Sequence, residues 1–412
     1  MAIPFFTDPH TLHRLHDGPL GAYVDAYAAL LQNQGYSRQS ARHQLQLVAD
    51  LGRWLQRQGL GATDLTPARV ARYARHHQRH FRSRRDEAST LRRLLGLLRD
   101  RGVVRAAAPR RGQRAFERVA EDFARYLAQE RGLAAATLVN YLPCVRRFLR
   151  ERFRGGRIRL AALRAADITG FVQRHAHDHS PGRTKVMLTA LRAFLRHVCQ
   201  RGATATDLST CVPCVPTWRW ATVPKYLRPG QVEQVLEACD RRTVQGRRDY
   251  AILLLLARLG LRAGEVVALR LEDIEWETGR LLLRSKGGRW TQLPLPAEVG
   301  AALAAYLQRG RPRCASRRVF IRLQAPLVGF ANSIAISTLV ARALTRAGIE
   351  APHTGAHVFR HSLATAMLQA GASLAEIGEL LRHRHPDTTT LYAKVDLRAL
   401  RALALPWPGG SR

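Results

Sequence analysis

Apolar residues recur every three or four positions through the first half of the chain. Tyr27, Leu30 and Leu31, then Leu45, Val48, Leu51 and Leu55, share one face of a helical backbone, so residues 20–102 are predicted to be a helical block. A second block with the same spacing runs over about 116–202. The pattern breaks at AAAPRRGQR (106–114) and at TDLSTCVPCVPTWRWATVPK (206–225), where proline and glycine punctuate the chain. Three prolines in the second break exclude a helix there. From Tyr226 onward the pattern changes. The apolar run 250–259 predicts a helix, and LEDIEWETGRLLLRSKGGRWTQLPLP reads as three strands joined by Thr-Gly and Lys-Gly-Gly turns, a small antiparallel sheet. Helical spacing returns at Ala297 and continues to about Leu403, with breaks at 310–312 and 351–352.

This reading gives a mainly α chain that ends in an α+β domain. With 412 residues it is too long for one compact core. The expected divisions are an extra N-terminal helical domain over 1–110, a second helical domain over 113–205, a linker over 206–224 and the α+β domain over 225–405. The two helical blocks resemble each other. QNQGYSRQSA at 32–41 faces AQERGLAAAT at 128–137, and LRRLLGLLRDRG at 91–102 faces LRAFLRHVCQRG at 191–202. Duplication of one helical module is therefore expected, against the alternative that two amphipathic segments look alike by composition.

Charge narrows the partner. The chain carries 66 Lys plus Arg against 31 Asp plus Glu, a net charge of +35 spread along its length, which points to a polyanion such as nucleic acid. Only four of the basic residues are lysines (Lys185, Lys225, Lys286, Lys394). A GC-rich codon bias accounts for arginine over lysine but not for the excess of base over acid. Six scattered cysteines lack a disulfide-framework spacing, which suggests a reducing compartment. No apolar run is long enough to span a bilayer, so a cytoplasmic, nucleoid-associated protein without membrane contact is expected.

The candidate chemistry lies in the α+β segment. AHVFRHSLAT places His357 and Arg360 three residues apart, on one face of a helix. In LARLGLRAGEVVALRLEDI, Arg262 follows a glycine that ends an apolar helix, and Glu265 three residues on can brace its guanidinium as a phosphate clamp. Lys286 sits at a hairpin tip in a chain that writes nearly every cation as arginine. Unlike arginine, a lysine can surrender its proton, so a proton-donating role would forbid the swap to arginine, against the alternative of a solvated hairpin-turn lysine. LRHRHPDTTTLYAKV contains His383 and, nine residues later, Tyr392.

The ordered set Arg262, Lys286, His357-x-x-Arg360, His383 and Tyr392 resembles the active-site signature of the tyrosine recombinases, also called phage-type integrases. GLRAGEVVALRLEDI is similar to their first arginine motif, HVFRHSLATAMLQAGASLAEIGELLRH to their second, and TTTLY to the nucleophile motif. Residues 113–205 resemble their core-binding domain. One departure is visible: Arg382 stands where the family usually has glycine before the third-motif histidine. The resemblance implies a site-specific recombinase that joins Tyr392 to a 3′ DNA phosphate without metal, ATP or other cofactor. In it Arg262 and Arg360 neutralise the phosphate, His383 adds a hydrogen bond, His357 assists proton removal from Tyr392, and Lys286 protonates the leaving 5′ oxygen. It further implies a tetramer on two DNA duplexes, with other recombinases of the same element as further partners and VDLRALRALALPWP (395–408) as a segment that docks on a neighbour or on its own domain. A mobile-element integrase active in transposition is the reading favoured. Alternatives are a type IB topoisomerase-like or telomere-resolving enzyme, and a non-catalytic DNA-binding regulator on the same fold.

Three other clusters are read as structural. Cys211-x-x-Cys214 lacks a second ligand pair for zinc. His175, His177 and His179 read as a polar loop rather than a metal site, and Trp218 and Trp220 as linker packing.

Overall fold

In the computed structural model, residues 5–80, 86–104, 111–154, 157–214, 223–284, 290–351, 353–383 and 385–395 are described. The chain divides into two compact units, Ala106–Arg219 on its own and Met1–Arg105 together with Trp220–Arg412.

The N-terminal block contains α1 (Pro9–His16), α2 (Val24–Asn33), α3 (Arg38–Arg57), α4 (Pro67–His80) and α5 (Glu87–Asp100). Helix starts follow from capping chemistry. Asp8 accepts the Thr11 amide at 2.9 Å ahead of a proline at the first helical position of α1, and Ser37 accepts the Ser40 amide at 3.3 Å at the start of α3. The apolar stripe read from the sequence is the core: Tyr27, Leu31, Leu45, Val48, Leu51 and Leu55 are fully buried, with Leu91, Leu94 and Leu98 of α5 against them. Within the same unit, the Leu327 amide donates to the Gln34 carbonyl at 2.9 Å, and Leu327 packs against Gly35 too closely to admit a Cβ.

The second unit contains α6 (Arg111–Arg125), which runs on into a π-helical turn at Tyr126–Glu130, then α7 (Ala135–Phe153), α8 (Ala165–Ala176) and α9 (Pro181–Gln200). Two boundaries differ from expectation. Helix α6 begins at Arg111, inside the predicted connector, because no proline follows Pro109 to oppose it. The predicted linker also begins within this unit: Leu208–Cys211 forms a 3₁₀ turn, Val212 is buried in the core, and Arg192 donates to the Val212 carbonyl at 3.0 Å. His175 lies on α8 rather than in a loop, buried with Nε2 2.9 Å from both Glu151 carboxylate oxygens. Cys211 is half-buried and Cys214 exposed, and no metal-binding cluster occurs among the described residues. Trp218 and Trp220 lie outside the described residues.

The two helical blocks repeat one order of elements. In each, a helix ends at a left-handed glycine (Gly35, φ 74°; Gly132, φ 59°), and a helix of about twenty residues follows. A 3₁₀ turn comes next (Ala62–Asp64; Leu160–Ala162), then two helices and a second left-handed glycine (Gly102, φ 71°; Gly202, φ 69°).

The C-terminal segment is mainly helical around one small sheet. Helix α10 (Pro229–Glu237) is followed by α11 (Val244–Arg258) and α12 (Ala263–Ala268), and then by strands β1 (Ile274–Glu275), β2 (Arg280–Arg284) and β3 (Trp290–Pro294). The strands form an antiparallel meander in the order β1-β2-β3, with Ile274 opposite Leu281 and Leu281 opposite Leu293. Period-2 alternation turns Leu281, Leu283 and Leu293 into the core and leaves Arg280 and Arg284 exposed. Helices α13 (Ala297–Arg309), α14 (Ile334–Arg346), α15 (His357–Gln369) and α16 (Leu374–Leu380) follow, then 3₁₀ turns at Pro386–Thr388 and Thr390–Val395. The break expected at 310–312 extends over 310–333, which carries only isolated bridges (Arg270 with Arg318, Ile321 with Gly329). Helix α11 is the hub. From Ala251 to Ala257 every side chain is buried, which is why this helix reads as continuously apolar rather than striped.

Candidate active site

Four turns bring the predicted residues together. Helix α11 ends at Gly260, whose φ of +54° is left-handed. A Cβ there would stand 2.7 Å from Leu381 Cδ2, so glycine serves both the turn and the close approach. Arg262 then occupies the N-cap of α12. Its amide donates to Glu265 Oε2 and its Nη1 to Oε1, both at 2.8 Å, while Nη2 donates to the Arg382 carbonyl at 3.2 Å. The bracing of Arg262 by Glu265 expected from their spacing is present.

Arg360, on α15, is 4% exposed. Its Nη1 donates to the Gly260 carbonyl at 2.5 Å and its Nη2 to the Leu381 carbonyl. Both arginines therefore place donors on carbonyls of the 381–382 turn. Burial, and then the neighbouring Arg262 and Arg382 charges, bring Arg360 down to about 10.

Arg382 itself joins the cluster. Its backbone is left-handed (φ 55°), and its guanidinium donates to Glu265 Oε2 at 2.9 Å and to the Leu380 carbonyl at 3.1 Å. The two side chains are 5% and 8% exposed. Burial pushes the Glu265 carboxyl up, but Arg382 and Arg262 outweigh it and hold the group below its ordinary value. Three guanidiniums around one carboxylate leave two uncompensated positive charges, a match for the doubly negative transition state of an attacked phosphodiester.

Tyr392 lies in the last 3₁₀ turn, 2% exposed, packed with Ala364, Ile377, Leu381 and Val395. Its hydroxyl is 2.9 Å from Nδ1 of His361. His357 opens α15 one turn earlier, exposed, with its ring 6.4 Å from that of His361. The histidine on the Tyr392 hydroxyl is thus His361, not His357. Burial, followed by His357 and Arg360, lowers His361 to about 4, so it is neutral at physiological pH. Burial raises Tyr392 above an ordinary phenol, with Arg360 opposing. His383 stacks parallel to Tyr392 at 6.4 Å between centroids and is fixed by Thr389 Oγ1, 2.7 Å from its Nδ1. Burial, then Arg360 and Arg262, lowers it to about 4. Lys286 lies outside the described residues, as does the predicted docking segment beyond Val395.

The family described as the phage integrase family matches residues 225–398, and the phage integrase N-terminal SAM-like domain matches residues 120–202. A protein of Sinorhizobium fredii named y4rA, described as an integrase/recombinase, is 44% identical over 406 residues, 98% of each chain. The chain belongs to the phage integrase family of tyrosine recombinases. Tyrosine recombinase XerD of Mycobacterium tuberculosis is 32% identical over 302 residues, 69% of this chain and 94% of that one. The recombinase fold is shared with XerH bound to its palindromic difH substrate (TM-score 0.54, 18% identity, 82% of this chain and 94% of that one). It is shared likewise with a lambda integrase dimer on a core site (TM-score 0.52, 16% identity, 72% and 98%). This recombinase is accordingly a site-specific recombination enzyme.

Two members of its site were not singled out from the sequence. His361 follows Arg360 directly and stands four residues after His357, a spacing that shares the helix face and could have marked it. Arg382 was visible as a departure from glycine, but nothing local says that its side chain turns back to Glu265.

Proposed function

We propose that this recombinase cleaves and rejoins duplex DNA through Tyr392. The observation that carries the reading is the contact between the Tyr392 hydroxyl and a neutral His361, beside Arg360 and the Arg262, Glu265 and Arg382 cluster. His361 Nδ1 accepts the phenolic proton as the Tyr392 oxygen bonds to phosphorus. The bond from phosphorus to the 5′ oxygen breaks, and Lys286 protonates that oxygen, leaving a 3′-phosphotyrosine. Arg262 and Arg360 exchange their turn carbonyls for the non-bridging oxygens, His383 adds a further hydrogen bond to them, and His357 at the site mouth supports His361. Resealing runs the same steps in reverse. The phosphotyrosine conserves the bond, so ATP is not required.

The preferred biological setting is integration or transposition of a mobile element, by a tetramer on two duplexes, with the segment after Val395 docking between protomers and the assembly resident on the nucleoid. Residues 113–205 act as the core-binding domain and 1–110 as its duplicate, supported by the shared element order and the paired left-handed glycines. The test is covalent trapping: purified protein and a nicked duplex carrying the element end should give a protein–DNA adduct, absent in Tyr392→Phe. An adduct of unchanged yield in that variant would overturn the assignment. Relaxation of supercoiled plasmid without strand exchange would favour the topoisomerase-like alternative.

A further inference from the structure

Thr389 ties His383 to the turn that carries Tyr392. Thr388, Thr389 and Thr390 are identical residues in a row, yet only Thr389 is buried, at 2% exposure. Its hydroxyl lies 2.7 Å from His383 Nδ1 and is seated over Gly378, where a Cβ would stand 3.0 Å from Oγ1. The Gly378 carbonyl in turn accepts the His383 amide at 2.9 Å. Through its backbone the same threonine holds the tyrosine. Its amide donates to the Pro386 carbonyl at 2.8 Å, and its carbonyl accepts the Tyr392 amide at 2.9 Å. The His383 and Tyr392 rings lie within 6° of parallel.

A neutral imidazole carries one N–H, and a hydroxyl can either donate to a bare Nδ1 or accept from a protonated one. The surroundings decide between the two. Among the described residues the Thr389 hydroxyl has no hydrogen-bond partner other than His383. If Nδ1 held the proton, the hydroxyl hydrogen would be buried without an acceptor, which folded proteins avoid. If the hydroxyl donates instead, its hydrogen is satisfied, and the imidazole proton must sit on Nε2. Burial and the Arg360 and Arg262 charges keep the ring neutral at physiological pH, so an imidazolium with both nitrogens protonated does not evade the choice. Nε2 makes no hydrogen bond among the described residues, which leaves its N–H available to an incoming oxygen.

We infer that Thr389 is a positioning residue: its hydroxyl donates to His383 Nδ1 and locks the ring in the Nε2–H tautomer, the form that can donate a hydrogen bond to a phosphate oxygen. The inference rests on the reading of this site as the centre where DNA phosphate is attacked. Thr389 acts only through His383.

Full-length protein isotopically labelled at its histidine ring nitrogens is studied at neutral pH by proton–nitrogen correlation spectra, which separate a protonated ring nitrogen from a bare one. The His383 signal is the one lost in His383→Gln. The unaltered protein and Thr389→Ser should show Nδ1 bare and Nε2 protonated. Thr389→Val, which keeps the shape and removes the donor, should show both tautomers. In single-turnover trapping, Thr389→Val should form adduct about 10-fold more slowly at unchanged duplex affinity, a smaller loss than the roughly 10²–10³-fold of deleting a donor outright. Thr389→Ser should restore the rate. A protonated Nδ1 in the unaltered protein overturns the inference, whether or not the valine variant folds. A valine variant that is slow with its tautomer unchanged also overturns it, since packing alone would explain the defect, as does one that forms adduct at the normal rate. If the tautomers behave as expected but the unaltered protein forms no adduct, the catalytic reading fails and the hydroxyl lock stands.

Discussion

The Tyr392 hydroxyl and His361 Nδ1 lie 2.9 Å apart, inside a pocket where the tyrosine is almost fully covered. A phenol raised by burial does not ionise unaided at neutral pH, so the attack proposed for Tyr392 requires an acceptor for its proton. General-base assistance contributes about 10²–10⁴-fold. His361→Ala is expected to slow adduct formation by about 100-fold with duplex affinity unchanged, and His357→Ala to slow it less. Single-turnover trapping of the two variants decides the order. A larger defect for His357→Ala would return the proton-accepting role to that residue.

The same histidines set a pH dependence of stability. His361 and His383 sit at about 4 in the folded protein, against about 6.5 for an exposed imidazole. The unfolded chain therefore binds more protons than the folded one between those values. Stability rises with pH through that window and is lost as pH falls from about 6.5 towards 4. Melting followed by circular dichroism should show a falling midpoint over this range. His361→Asn combined with His383→Asn should flatten the dependence, and an unflattened curve would place its origin elsewhere.

Much of this was legible in the sequence, and the reasons for the rest are physical. Tyr27, Leu45, Val48 and Leu55 declared their burial because helical periodicity is a local property. The small sheet did too, because Leu281, Leu283 and Leu293 alternate with outward residues. Arg262 and Glu265 could be paired because capping geometry spans only three residues. The Arg382–Glu265 contact could not, since it joins positions 117 apart through a turn with no periodic signature. His361 was masked by its neighbours: on α15 a polar residue facing solvent and one facing Tyr392 have the same local pattern. The predicted 206–224 linker starts inside the core because prolines exclude a helix but say nothing about burial, and Val212 is buried without one.

Arg382 combines two effects that substitutions can separate. Removing its guanidinium leaves the buried Glu265 to Arg262 alone, and breaking one partner of a buried pair costs about 3–5 kcal/mol where no other partner remains. With Arg262 still present, a loss of about 2 kcal/mol is expected for Arg382→Ala. Arg382→Gly should be more stable than Arg382→Ala by about 1 kcal/mol, since glycine occupies φ 55° without penalty. Urea unfolding of both variants measures the difference. Equal stability would mean that the turn relaxes out of the left-handed region.

Arg262 tests whether geometry or charge matters at the proposed phosphate clamp. Its Nη1 is committed to Glu265 and its Nη2 to the Arg382 carbonyl, which aims the planar fork before substrate arrives. Lysine at this position keeps the positive charge but presents a single ammonium, which cannot hold Glu265 and two phosphate oxygens together. Loss of one transition-state donor costs about 10²–10³-fold in rate. Arg262→Lys is accordingly expected to bind duplex with near-normal affinity and to form adduct about 100-fold more slowly. Measuring binding and trapping on the same preparation separates the two effects: adduct formation at the normal rate would show that charge suffices, and parallel loss of binding would place Arg262 in ground-state recognition.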